Sequence, residues 1–276
     1  MPRLMTFPLT MAIGTLVLGV ASVNTAMAAA WTRGEGQFLF LIPAEYYVAT
    51  EQFDNDGDRV DRRRFTQVEI GPYLEYGITD FLTVGAQPKF RRITLDTDAG
   101  ELDNSGLADA DLFTRLRLWH EGEAAFSVQG LVKIPIQADE EDALPLGFEQ
   151  IDTEVSAAFG NRHPLDFGTI FYNLEVGFRK RFETPADEVH GDVFIGWTDG
   201  TWTALVQSLN TAGISSELGT TEVLTSEPEY TRFKAQVTIA YRLSDQASVL
   251  AGGSTTYAGT NVGAGNSGFL GVSWNF

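Results

Sequence analysis

Acidic side chains dominate the places in this sequence where chemistry could gather. Asp54-Asn55-Asp56-Gly57-Asp58-Arg59-Val60-Asp61 sets carboxylates at every second residue around a glycine. Oxygen ligands so spaced can converge on one hard cation such as calcium. The run departs from the EF-hand pattern, because Arg59 stands where glycine should follow and Phe65 where the closing glutamate belongs. Those departures make an ordinary acidic hairpin tip the default. Asp54, Asp56, Asp58 and Asp61 remain a calcium-like candidate only, and no other cofactor is expected.

Catalytic signals are poor. The chain has no cysteine, so it has no disulfide framework, thiolate metal site or cysteine nucleophile. Its three histidines, His120, His163 and His190, fall on different strands or connections. None sits with a serine and asparagine as in barrel phospholipases, and none pairs with aspartates as in outer-membrane proteases. His163 reads as a turn residue and His190 as a rim residue. No phosphate-binding glycine loop or zinc spacing is present. We expect no enzyme.

Other charged residues occupy alternate positions, which points to the elements that must carry them. From Thr231 to Leu243, Phe233, Ala235, Val237, Ile239, Tyr241 and Leu243 alternate with Arg232, Lys234, Gln236, Thr238, Ala240 and Arg242. Phe65 to Tyr76 alternates similarly. Period-2 patterning marks strands with two unlike faces. Twelve such strands are expected at 36–49, 62–77, 81–96, 107–120, 124–137, 150–160, 169–183, 188–198, 201–214, 229–243, 246–259 and 266–276. Connections alternate in phase, with short turns such as Asp199-Gly200 and Ser244-Asp245 between longer loops at 50–61, 97–106, 138–149 and 215–228. Short periplasmic turns and longer external loops mark outer-membrane barrels. The phase puts both termini in the periplasm.

The fold class is therefore all-β: a transmembrane antiparallel β-barrel of about 12 strands in the bacterial outer membrane. A soluble β-sandwich would also alternate, but its inner face should be apolar. Here the face opposite the apolar one is charged. Residues 1–28 read as a signal peptide, with Arg3, an apolar Met11–Ser22 stretch and Ala26-Met27-Ala28 as the cleavage site. Residues 29–276 form the barrel. The final strand ends in Trp274-Asn275-Phe276, an aromatic terminus that resembles the signal read by the barrel assembly machinery. The net charge of −18 argues against nucleic acid, which needs a basic surface.

With the apolar face toward lipid, Lys89, Arg91, Lys133, Arg179, Arg181, Arg232 and Lys234 point inward near the external mouth, as a basic collar. Glu69, Asp109, Asp111, Asp152 and Glu154 are inward acids. Rings of charge set pore selectivity, so the collar would favour anions. Alternatively the two sets pair, hold the barrel shape and close the lumen. The long loops are acidic, offset only by Arg59, and suit divalent-bridged lipopolysaccharide or cation capture. Aromatics near strand ends, Trp119, Trp202, Tyr241 and Trp274 among them, suit interface girdles.

Glu75-Tyr76-Gly77-Ile78-Thr79-Asp80-Phe81-Leu82-Thr83-Val84-Gly85 resembles the strand–turn–strand unit of the meta-pathway phenol-degradation-like group of putative outer-membrane transporters. Arg242-Leu243-Ser244-Asp245-Gln246 echoes its turn. Ala30-Trp31-Thr32-Arg33-Gly34-Glu35-Gly36-Gln37 resembles the start of XagA-like envelope proteins. The resemblance implies an outer-membrane channel or export conduit for small solutes or a glycan chain, linked to exopolysaccharide and biofilm. It supplies no catalytic residues. The alternative is a non-conducting structural barrel whose acidic loops bind a cation or partner. Expected partners are outer-membrane lipid, lipopolysaccharide, the assembly machinery, and a polysaccharide or small solute.

Overall fold

The computed structural model describes residues 30–136, 144–147, 150–182, 186–214 and 230–276. The expected signal peptide, most of the acidic loop 138–149 and all of loop 215–228 lie outside the described residues.

The strands are β1 (Phe38–Phe53), β2 (Arg59–Ile70), β3 (Tyr73–Thr79), β4 (Leu82–Thr97), β5 (Gly100–Glu121), β6 (Ala124–Pro135) and β7 (Asp152–Leu165). They continue as β8 (Gly168–Arg181), β9 (Glu188–Thr198), β10 (Trp202–Gly213), β11 (Thr231–Arg242), β12 (Ala247–Thr260), β13 (Val262–Gly263) and β14 (Asn266–Asn275). All pairings are antiparallel, and β14 returns to β1 with Leu39 opposite Asn275 and Val48 opposite Asn266. β2 and β3 are two halves of one wall position, since both pair with β1 and β4. Proline has no N–H for a ladder bond, so Pro72 breaks the strand there. Buried Gln87 donates from Nε2 to the freed Gly71 carbonyl at 3.2 Å. β13 is a two-residue extension that pairs with β1. The wall is thus a closed barrel of twelve positions, and closure satisfies the backbone without leaving an open edge.

Short turns close one end. In the β5–β6 turn, Gly122 has φ 57°, a conformation glycine adopts without steric cost. In the β9–β10 turn, Asp199 accepts backbone N–H bonds from Thr201 and Trp202, both at 2.7 Å. Those two bonds hold its carboxyl below the usual aspartate range.

Three expected connections are largely strand instead. β1 and β2 pair up to Phe53–Arg59, which shortens the expected 50–61 loop to Asp54–Asp58. β4 and β5 pair up to Thr97–Gly100, so 97–106 is a tight hairpin and not a loop. β7 and β8 pair to Leu165–Gly168, which shortens the expected 161–168 connection to a turn. Ladder bonding continues past the point where the apolar alternation ends, because backbone pairing does not depend on side-chain type.

The outward face carries the large apolar residues. Ile195, Val206, Val237, Ile239 and Leu270 are each more than half exposed. Toward the short-turn end, Trp202 lies against Tyr241 at 4.7 Å between ring centroids. Toward the other end, Phe233 lies 6.3 Å from Tyr257. An apolar band flanked by aromatics is what a bilayer selects on a barrel exterior.

Candidate functional site

The inner wall is polar but not uniformly so. Gln129, Gln207, Gln236, Thr203, Thr238, Thr256 and Ser273 are all buried and inward. Gln236 donates to Gln207 at 2.8 Å, and Ser254 bonds Ser267 at 2.7 Å. Amide and hydroxyl groups therefore dominate β10 to β14. One apolar layer interrupts this lining: Leu39, Leu41, Tyr73, Phe113, Leu131, Ala240, Leu250 and Phe269 form a single buried cluster. The sequence reading gave the inward face to polar and charged residues; this layer corrects it. The aromatics can lie flat because glycines sit beneath them. A Cβ at Gly85 would stand 2.1 Å from Phe113 Cζ.

Next to this layer, at the short-turn end, residues Ala30–Gly34 run inside the wall, while Glu35–Gln37 are exposed and Gly36 and Gln37 make backbone bonds with Gly77. The Ala30 amide donates to Asn173 Oδ1 at 2.9 Å, and Ser127 donates to the Ala30 carbonyl at 2.5 Å. Trp31 packs over Gly160, with the Arg162 guanidinium 4.3 Å from its ring centroid. The Arg33 amide donates to Thr83 at 2.8 Å. The strongest tether is ionic. Glu75 Oε2 accepts from Arg33 Nε at 2.5 Å, while Oε1 accepts from Arg115 Nη1 at 2.8 Å and the Tyr73 hydroxyl at 2.7 Å. Arg115 is 1% exposed, and two guanidinia flank one buried carboxylate. Alternation alone could have flagged Glu75 as inward; nothing in the sequence shows that its partner is Arg33 from outside the wall.

At the opposite end, Leu144 and Leu146 fold inward and bury against Ile93 and Ala108. The Leu144 carbonyl accepts from Asn104 Nδ2 at 2.9 Å, and Arg91 donates to the Leu146 carbonyl. Part of the expected acidic loop thus packs into the mouth through its leucines.

The seven residues of the expected basic collar occupy four wall positions, β4, β6, β8 and β11. Six have acidic partners. Lys89 meets Asp111 at 2.6 Å, Arg91 meets Glu69 at 2.7 Å and Lys133 meets Asp152 at 2.8 Å. Arg179 meets Glu154 at 2.7 Å, Arg181 meets Glu188 at 2.6 Å, and Lys234 reaches Glu45 at 3.8 Å. Arg232 donates to the Thr211 hydroxyl at 3.3 Å. Expected acids Glu69, Asp111, Asp152 and Glu154 are thus partners of the collar, and Glu45 and Glu188 join them. Asp109 is buried with Oδ1 lacking a hydrogen-bond partner among the described residues. The ring is a belt of alternating sign, not a uniformly positive one.

In the Asp54–Asp61 hairpin, Asp54 Oδ1 accepts the amides of Asp56 at 3.0 Å and Asp58 at 2.9 Å, so it caps the turn. Asp61 lies opposite Glu51 in the ladder. His190 is not at a rim: it faces inward beside Glu175.

A closed antiparallel barrel of twelve wall positions, apolar outside and polar within, defines an outer-membrane β-barrel, and its place is the bacterial outer membrane. No family model and no curated protein matches the chain. Among solved structures, it is similar to the COG4313 outer membrane channel from Pseudomonas putida F1, at 16% identity and TM-score 0.74, covering 92% of this chain and 100% of that one. It is also similar to the β domain of the Bordetella autotransporter BrkA, at 11% identity and TM-score 0.51, covering 88% and 100%. Both likenesses concern the fold.

Proposed function

We propose that this barrel is an outer-membrane channel for small solutes whose resting lumen is closed by residues Ala30–Gly34. The observation that carries this reading is that the obstruction at the short-turn end is a segment outside the wall. It is held by side-chain bonds to Glu75, Thr83, Ser127 and Asn173, and its backbone bonds to the wall begin only at Gly36, so Ala30–Gly34 can leave without breaking a ladder. The amide and hydroxyl lining of β10 to β14 suits uncharged, polyhydroxyl solutes, glycan units included. Pairing within the collar leaves little net field to select anions. The glycan export implied by the XagA-like resemblance is the narrower form of this reading, and loss of a secreted polymer on gene deletion is its test.

The decisive experiment compares wild type with Arg33→Ala in planar bilayers and in liposome swelling. Arg33→Ala removes one of two guanidinia on Glu75 and leaves the buried Arg115 paired. We expect wild type to be mostly closed and the variant to open longer and pass small sugars faster. Equal silence from both, in well-folded protein, would overturn the channel reading and favour a structural barrel.

A further inference from the structure

On the wall formed by β6, β7, β8 and β9, three cations and three acids form one network: Lys133 with Asp152, Arg179 with Glu154, Arg181 with Glu188, cross-linked by Arg179–Glu188 at 3.7 Å and Arg181–Asp152 at 3.8 Å. Glu175 and Asp192 stand directly opposite each other in the ladder. Neither has a Lys or Arg ion pair among the described residues. Asp192 accepts the Asn210 amide at 2.9 Å, and Arg232 acts on it only through space. The Glu175 side chain is 2% exposed, and its one polar partner among the described residues is His190. Two buried negative charges therefore converge on one imidazole, at a cost that burial makes large unless a cation joins them.

The imidazole is built into this position. His190 lies opposite Gly177, and a Cβ on Gly177 would stand 2.1 Å from its Cε1. The bare glycine lets the ring cross β8 and reach β7. Its Nε2 then stands 3.5 Å from Glu175 Oε1 and 4.0 Å from Glu154 Oε1. The three donor atoms all lie within 4.8 Å of one another. The other Glu154 oxygen is held by Arg179 at 2.7 Å, the outer-shell bond that orients a ligating carboxylate.

We infer that Glu154, Glu175 and His190 form a site for a divalent transition metal, zinc-like in preference, facing the lumen. Imidazole nitrogen with carboxylate oxygens suits such an ion better than calcium, which prefers oxygen throughout. Zinc bonds of about 2.0–2.2 Å put tetrahedral ligands roughly 3.3–3.6 Å apart. The His190–Glu175 edge already has that length, and small side-chain rotations close the others. The charge of the ion balances Glu175 and Asp192. Three protein ligands leave a fourth position for water, for Asp192 or for a solute donor. The inference goes beyond the proposed channel and holds for a conducting or a silent barrel.

The test loads the full-length barrel, extracted in detergent, with Zn²⁺ or Co²⁺ in a Ca²⁺ excess that saturates the acidic hairpins. Wild type should retain one Zn²⁺ equivalent, and Co²⁺ should give the intense visible bands of a tetrahedral site. X-ray absorption of the zinc form should report one imidazole among oxygen ligands. His190→Ala and Glu175→Gln should each lower affinity at least about tenfold, the usual loss when a metal's supporting contact is removed. Gly177→Ala, which removes no ligand atom, should do so by displacing the ring. Heat-modifiable migration in SDS reports folding of each variant. An all-oxygen zinc shell in wild type, or affinity unchanged in folded His190→Ala, overturns the inference.

Discussion

Glu75 concentrates the energetics of the lumen at single-residue scale. It joins Arg33 of the inserted segment to Arg115 of the wall, with Tyr73 as a third donor. Substituting Glu75→Gln leaves Arg115 buried without its carboxylate. Removing one partner of a buried pair costs about 3–5 kcal/mol. The expected outcome is a lower urea midpoint in lipid vesicles, together with faster trypsin cleavage at Arg33. Unchanged cleavage would mean that the segment is held by its other bonds. Inward placement of the charged residues was legible from period-2 alternation. Their partners were not. Lys234 on β11 meets Glu45 on β1, which are not neighbours in the wall, and one-dimensional spacing carries no information about contacts across a closed lumen.

At the scale of the elements, the bilayer divides the two faces of each strand. Val206 on β10 is 60% exposed and lies between Ile195 of β9 and Val237 of β11 in the ladder. Arginine on a lipid face at mid-bilayer costs about 2–4 kcal/mol. Val206→Arg should therefore lower folding stability in vesicles by that amount, with a smaller loss for Trp202→Arg near the aromatic girdle. Equal losses at the two positions would place the apolar band elsewhere. The expected strand at 188–198 matches β9, and most other boundaries agree within a few residues. The misses lie where pairing outlasts alternation, at 50–61, 97–106 and 161–168. Beyond the bilayer a side chain of either kind is tolerated, so the sequence pattern fades while the hydrogen-bond ladder continues.

For the whole molecule, closure is the defining event. Phe276 and Phe38 exchange both backbone bonds at 2.9 Å, and β14 completes the ladder against β1. Phe276→Ala keeps those backbone bonds, and the side chain is well exposed. Purified variant should fold into vesicles at wild-type yield, whereas assembly in cells should fall if the machinery reads the terminal aromatic. A loss in both settings would assign the ring a role in closure itself. The sequence by itself determined the class of fold, the number of wall positions and which face meets lipid. Those follow from local period-2 alternation and turn chemistry, which any window of the chain displays. Only the tertiary structure decided that Ala30–Gly34 lies within the lumen, that an apolar layer crosses it, that most of the basic collar is paired with acids, and that His190 reaches Glu154 across a bare glycine. Each depends on residues far apart in the chain meeting inside a closed wall, and closure is a property of the whole ladder, which no single strand encodes.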